Sequence, residues 1–502
     1  MIKTALLARL RRTLMVAPLT AAPLVLAACT VGPDFERPAP PPPAAGYGAT
    51  GGARATLGEG PAGEWWKAFQ SPSLDALVEQ ALTRNHSLAA SRETLVRAVE
   101  RVAAVRGRTL PQADVNGRAE YQKFNFQAIG LGNSGIGNPK FDLYTVGGGV
   151  SYDLDLFGAN RRALEQAGAE TRAQARATEA AHLLVAGRVV SQVLAIAALN
   201  DKLATQRQLL EEDERNVRLT EARRQAGDGT LVEVLTAQNQ LSADRADLPM
   251  IEQSLADARA MLAVLLGISP AELGPTNFTL ADFALPESVP VALPSELVHK
   301  RPDILEAEAR LHAAVAEVGM ATAALYPNLT VGATVTQSTS QPDRITSSRF
   351  NAYDIFAGVT APIFRGGTLS AQKRGAQAAA RAAAAEYQQV VTEAFGQVAT
   401  LLSALETDGR ELAERRAATD IAERGLQLSR RSFQVGNSGV LQVLEANRFS
   451  QRAQLALVDT RARQYQNVTR LLVATAGGWS PDAENLAAFE TPQARAAVTH
   501  RR

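Results

Sequence analysis

The chain has 502 residues, and its 52 basic and 51 acidic side chains leave a net charge of +1, so no electrostatic case exists for a nucleic-acid partner. Aromatic residues make up only 5% of it, too few for a thick globular core; the abundant alanine favours long, closely approaching helices. A single cysteine rules out an intrachain disulfide.

Residues 1–28 read as a secretory signal rather than part of the fold. Lys3, Arg9, Arg11 and Arg12 precede an apolar run that is too short and wrongly flanked for a stable membrane span. The run ends Leu-Ala-Ala-Cys at Cys29, which resembles the lipobox cut by the lipoprotein signal peptidase. That resemblance implies a covalent lipid on Cys29: a diacylglyceryl thioether on the sulfur and an N-acyl chain on the new terminus. Several acyl chains together anchor firmly. An ordinary signal peptide with an incidental cysteine is the plainer alternative. Removing the signal takes away four basic residues and no acidic ones, leaving a slightly acidic mature chain.

Residues 29–63 form a Pro- and Gly-rich linker expected to be extended or loosely ordered. Structure is expected from residue 64, where Ser73 is placed to cap a helix burying Leu74, Leu77, Val78, Ala81 and Leu82. From there the sequence repeats itself. Leu95, Val99, Val102, Pro111 and Val115 align with Leu311, Val315, Val318, Pro327 and Val331, and Phe157 aligns with Phe364. The order helix, two strands, long helix, Gly-rich break, return helix therefore occurs twice, over 64–267 and 294–476. A mixed connection, 268–293, joins the halves, and 477–502 forms a C-terminal tail.

The strands alternate with period two. Leu329, Val331, Ala333 and Val335 share one parity, as do Tyr353, Ile355, Ala357 and Val359, and as do Tyr144, Val146, Val150 and Tyr152. Asp153 and Asp155 fall on the opposite parity of that last strand, as polar lining. Alternation over about 10 residues suits a transmembrane barrel strand, and a soluble sandwich equally well. In lipid, however, four strands leave open edges, so several copies would have to share one barrel.

No proline interrupts residues 158–225 or 369–435, each enough for about 100 Å of helix. Val391, Phe395, Val398, Leu402, Leu405 and Leu412 keep coiled-coil spacing, and Val185, Val189, Ile196, Leu199, Leu203 and Leu210 repeat it, with Gln192 and Gln206 as polar substitutes. Return helices over 231–266 and 440–473 make two antiparallel hairpins, whose breaks are their tips.

The segments VGPDFERP, DLDLFG, RPDILEAEARL, YPNLTVG, PIFRGG and AGGW resemble, in this order, landmarks of the outer-membrane efflux duct family, in its lipoprotein branch serving resistance–nodulation–division pumps. The resemblance implies a mixed α/β membrane protein. Three chains would close a twelve-stranded β-barrel, four strands from each, continuous with a long α-helical coiled-coil barrel in the periplasm. It further implies partners: two other copies of the chain, outer-membrane lipid, a periplasmic adaptor (membrane fusion) protein and an inner-membrane pump. Small toxic compounds would pass passively; related ducts that carry polypeptides are the alternative, and a non-conducting lipid-anchored scaffold a third. Aligned on the family's second tip, Leu441 takes the place of an apolar constriction and Glu445 that of an acidic ring, although both also fit a coiled-coil core residue and a solvated charge. Gly227, Asp228, Gly229 and Thr230 on one tip, with Gly436, Asn437 and Gly439 on the other, would contact the adaptor; the glycines also simply permit a reversed turn. No enzyme is expected. His86, His182, His299, His312 and His500 are scattered without metal-ligand spacing, so no metal or other cofactor is expected, and no nucleophile elbow or phosphate loop is present.

Overall fold

The computed structural model describes residues 30–39, 46–49, 51–58, 60–61, 63–125 and 138–476. In chain order the elements are β1 (Ala55–Gly58), α1 (Pro72–Arg84), α2 (His86–Arg108), β2 (Gln112–Lys123), β3 (Lys140–Asp153), α3 (Ala159–Gln225), α4 (Leu231–Leu266), β4 (Val289–Ala292), α5 (Pro294–Lys300), α6 (Pro302–Ala323), β5 (Asn328–Thr339), β6 (Asn351–Thr360), α7 (Thr368–Gln434) and α8 (Val440–Thr475). The described residues fall into two compact units, those within 1–37, 97–172 and 308–386 and those within 38–96, 173–307 and 387–502.

The first unit carries an antiparallel sheet in the order β2-β3-β5-β6. Register puts Val115 opposite Gly148, Gly148 opposite Val335, and Val335 opposite Tyr353. Because side chains alternate along each strand, Val115, Val146, Val150, Val335, Tyr353, Ile355 and Val359 share one face. All of these are exposed, Val115 at 86% and Ile355 at 78%. The other face carries Asp114, Asn116, Thr145, Thr330, Thr334 and Asp354. The sheet is thus largely apolar on one uncovered face and mostly polar on the opposite one, where Phe141, Leu143 and Phe356 are the large apolar side chains. Asp155 does not continue the polar parity of β3. It takes a left-handed φ of 44° and turns its carboxylate onto the start of α3, accepting from the Asn160 and Arg161 amides at 3.0 Å each. A carboxylate at a helix N-terminus satisfies amides that have no helical partner.

The second unit is helical. Its core gathers Trp65, Trp66, Phe69, Leu74, Val78, Leu262, Leu266, Leu402, Leu405 and Leu471. Tyr465 fixes the 268–293 connection by donating to the carbonyls of Phe283 at 2.8 Å and Leu280 at 3.2 Å. The linker contributes more than expected: Tyr47 is buried and donates to the Ala292 carbonyl at 2.7 Å, and β1 pairs parallel with β4. Ser73 is not the cap of α1. It lies inside the first turn, Ser71 holds the cap position, and the two hydroxyls bond each other at 3.1 Å.

Within this unit the expected seam of α7 is buried at Val398, Leu402, Leu405 and Leu412, with Val391 and Phe395 half-buried against the same core. On α3, Val185, Val189, Ile196 and Leu203 are buried, but Leu209 rather than Leu210 continues the seam. A straight helix drifts about 20° per heptad, and the slip follows Gln206, itself only 2% exposed. Gln192 and Gln206 donate their amides to the carbonyls of Ala258 and Asp244 on α4, both at 2.9 Å.

Candidate functional site: the hairpin tips and the N-terminal clasp

The two Gly-rich breaks have one geometry, which explains why their sequences match. After α3, Gly227 adopts φ +85°; its amide donates to Arg224 O at 3.1 Å and the Asp228 amide to Arg223 O at 2.9 Å. After α7, Gly436 adopts φ +79°; its amide donates to Phe433 O at 3.0 Å and the Asn437 amide to Ser432 O at 2.9 Å. A left-handed residue just past the last turn lets the chain reverse while satisfying the final carbonyls, and glycine takes that conformation without a Cβ clash. The tips also touch. Arg223 places its guanidinium carbon 4.7 Å from the centroid of the Phe433 ring and donates to Asp228 O at 3.0 Å.

The departures from the repeat are equally informative. Thr230 caps α4 reciprocally with Glu233: its Oγ1 accepts from the Glu233 amide, and Glu233 accepts from its amide at 2.8 Å. Gly439, at the matching place, has no side chain to cap α8. Thr230→Ala is expected to weaken the first turn of α4 by about 1 kcal/mol. Hydrogen exchange at the Glu233 amide should speed up roughly fivefold, with the α8 terminus unchanged.

Leu441 and Glu445 lie one turn apart on an exposed face of α8, with Leu441 45% exposed, whereas Val440 and Val443 beside them are buried. Within the chain, Leu441 is therefore not a core residue. Val232 and Thr236 sit at the matching exposed positions of α4, but Thr236 donates its hydroxyl to the Val232 carbonyl at 2.7 Å.

Cys29 lies outside the described residues; the segment that follows it, in the first unit, is held tightly. The Val31 amide donates to Phe157 O at 3.2 Å, and Phe35 stacks on His312 with centroids 4.2 Å apart. Arg162, almost fully buried, donates to Asp34 and to Glu165, both at 2.7 Å. Arg37 donates to Glu308 at 2.7 Å. Burial would raise the pKa of Glu165, but hydrogen bonds from Arg162 and His312 win and hold it below the usual carboxylate range. Gly32, at φ +99°, passes so close to Gly319 that a Cβ would lie 2.6 Å from its Cα. Thr30 packs on Gly158 at the start of α3. None of these contacts was read from the sequence.

A family profile described as outer membrane efflux protein matches residues 77–268 and 293–477, one segment in each repeat. The chain belongs to the outer membrane efflux protein family. Among its relatives, the pyoverdine export outer membrane protein OpmQ of Pseudomonas aeruginosa is 30% identical over 426 residues, covering 84% of this chain and 89% of that one. The outer membrane protein OprJ of the same organism is 29% identical over 469 residues, covering 91% and 94%. Among solved structures, the outer-membrane channel OprN superposes with a TM-score of 0.81 at 28% identity, covering 90% of this chain and all of that one. VceC from Vibrio cholerae superposes at 0.76 with 25% identity, covering 84% of this chain and all of that one. Family membership places the chain in the outer membrane, extending into the periplasm, as an efflux duct component.

Proposed function

We propose that three copies of this chain form a passive outer-membrane duct for drugs and other small toxic compounds. A periplasmic adaptor and an inner-membrane resistance–nodulation–division pump would deliver those compounds to it. The observation that carries this reading is the four-stranded sheet. One face is apolar and uncovered, and among the described residues β2 and β6 each lack a strand partner on one edge. Lipid tolerates that face and no open edge, so β6 of one copy must meet β2 of the next until the barrel closes. Three copies give twelve strands, above the practical minimum of about 8. Conduction, not catalysis, is the work of such an assembly, and its only prosthetic group would be the lipid on Cys29.

Relatives bearing the names pyoverdine export protein and toluene efflux pump outer membrane protein favour small cargo over polypeptide. At the periplasmic end, the tip residues Gly227, Asp228, Gly229 and Thr230 with Gly436, Asn437 and Gly439 present exposed backbone to the adaptor. Leu441 and Glu445 face the axis as a constriction and an acidic ring. The test is conductance in a planar bilayer: purified trimers that insert but never conduct, in any gate variant, would return the scaffold reading.

The clasp on residues 30–37 makes a separate forecast about the lipid. Phe35, Asp34 and Arg37 dock on His312, Arg162 and Glu308 through their own side chains. A Cys29→Ser protein exported by an ordinary signal peptide is therefore expected to lose its acyl chains and still trimerise. Recovery of monomers alone in native gels would refute this.

A further inference from the structure

The joint between the two hairpins contains a buried acid that the tip geometry does not use. Asp213 on α3 is only 2% exposed. Its Oδ1 accepts two amide donors from α8, Asn447 Nδ2 and Gln451 Nε2, both at 3.1 Å. Its Oδ2 is buried with no donor in reach. Asp213 also interacts with another carboxyl, that of Asp244 on α4. Asp244 is itself held in place: Gln240 donates to its Oδ2 at 2.8 Å, and Gln206 donates to its backbone carbonyl at 2.9 Å. Two further charges lie close by, Glu212 and the Arg430 of α7 that pairs it at 3.0 Å. Three helices of the first and second hairpins thus converge on one acid, and no cation faces its free oxygen in any of these contacts.

We propose that the Asp213–Asp244 pair is a proton-held latch, which keeps α8 of the second hairpin on α3 of the first and loosens when the shared proton leaves. With a proton on Oδ2, Asp213 becomes a donor to Asp244, and every polar atom of its carboxyl is satisfied. Without it, two carboxylates face each other where Asp213 has almost no access to water, and the Arg430 cation nearby is already taken by Glu212. Such a pair does not hold two charges at low cost.

Burial first, and then the Asp244 carboxyl, push the pKa of Asp213 from 3.8 up to about 8. The sign follows from that raised folded value. The latch's contribution to stability is complete below the unfolded value of 3.8, declines as pH rises, and is lost by about 8. The protonated fraction of the latch itself falls about tenfold between pH 7 and pH 9. Alkali should therefore free α8, the helix that carries Leu441 and Glu445.

The consequence for conduction rests on the duct reading; the latch does not. The test uses full-length protein carrying spin labels at Gln208→Cys on α3 and Arg452→Cys on α8, both exposed positions. The expected result is a narrow inter-label distance at pH 7 that lengthens and broadens at pH 9. Asp213→Asn keeps the Oδ1 acceptor and cannot ionise, so its distance should stay narrow at both pH values. Asp244→Asn removes the opposing charge and should do the same, which covers the case where the Asp213 variant fails to assemble. A parent distance that does not change with pH, or a change that survives in both variants, overturns the latch. Open probability in a bilayer should rise about tenfold from pH 7 to pH 9 in the parent. A pH-dependent distance in a protein that never conducts would sink the duct reading and leave the latch standing.

Discussion

A Leu441→Ala, Glu445→Ala double variant is expected to conduct strongly in a planar bilayer where the parent protein is nearly silent, with at least a tenfold gain in mean current. Three leucines in a ring dewet a narrow pore, because water inside it loses hydrogen bonds that apolar walls do not replace. Three carboxylates one turn further on favour cations and hold basic partners. The expectation rests on exposure: Leu441 is 45% exposed, whereas Val443, two residues on, is 3% exposed. Truncating an exposed side chain changes stability by no more than about 0.5 kcal/mol. Val443→Ala, by contrast, should cost on the order of 2 kcal/mol and leave cation selectivity alone. Glu445→Gln by itself should lower cation selectivity with little change in size of the opening. If parent and double variant conduct equally, the duct stands and the gate lies elsewhere.

Why some of this was legible in the sequence and some was not comes down to range. The hairpins were readable because their determinants are local: glycines at 227 and 436, long proline-free helical stretches before them, and starts at Leu231 and Val440. The strands were readable because period two over about ten residues is a local signal, and register then follows. Short pieces without periodicity escaped, such as β1, whose four residues gain their order from Val289–Ala292 far along the chain. Asp155 was misplaced because parity continues on paper beyond Asp153, where β3 ends, onto a residue whose positive φ turns the chain away.

The candidate site divides along the same line. The tip glycines follow from backbone geometry alone. Leu441 was undecided by spacing, since a heptad cannot tell a core leucine from one a position away on the exposed face. The N-terminal clasp and the Asp213 latch were invisible, because Asp34 meets Arg162 and Asp213 meets Gln451 only after the chain has folded back. An aspartate on a long helix reads as solvated; its burial depends on where two other helices pack.

Arginine placed on the two faces of β6 gives the sharpest separation between barrel and sandwich. Ile355 and Asp354 are adjacent in sequence and point to opposite sides: Ile355 opposes Ala333 on the apolar face, and Asp354 opposes Thr334 on the polar one. On the lipid side, an arginine near the bilayer midplane costs about 2–4 kcal/mol per chain. Three copies in one barrel would lose about 6–12 kcal/mol, comparable with the 5–15 kcal/mol that typically separates folded from unfolded protein. Ile355→Arg is therefore expected to remove trimers from the outer-membrane fraction almost completely. Asp354→Arg, facing water in the lumen, should assemble normally and shift ion selectivity toward anions. A soluble sandwich predicts a different pair of results, since an apolar face covered by protein would reject Ile355→Arg in detergent and in water alike, with no dependence on membrane. Equal assembly of both variants would mean that neither face meets lipid. Loss of Asp354→Arg alone would mean that the sheet is inverted, with its polar side packed against protein.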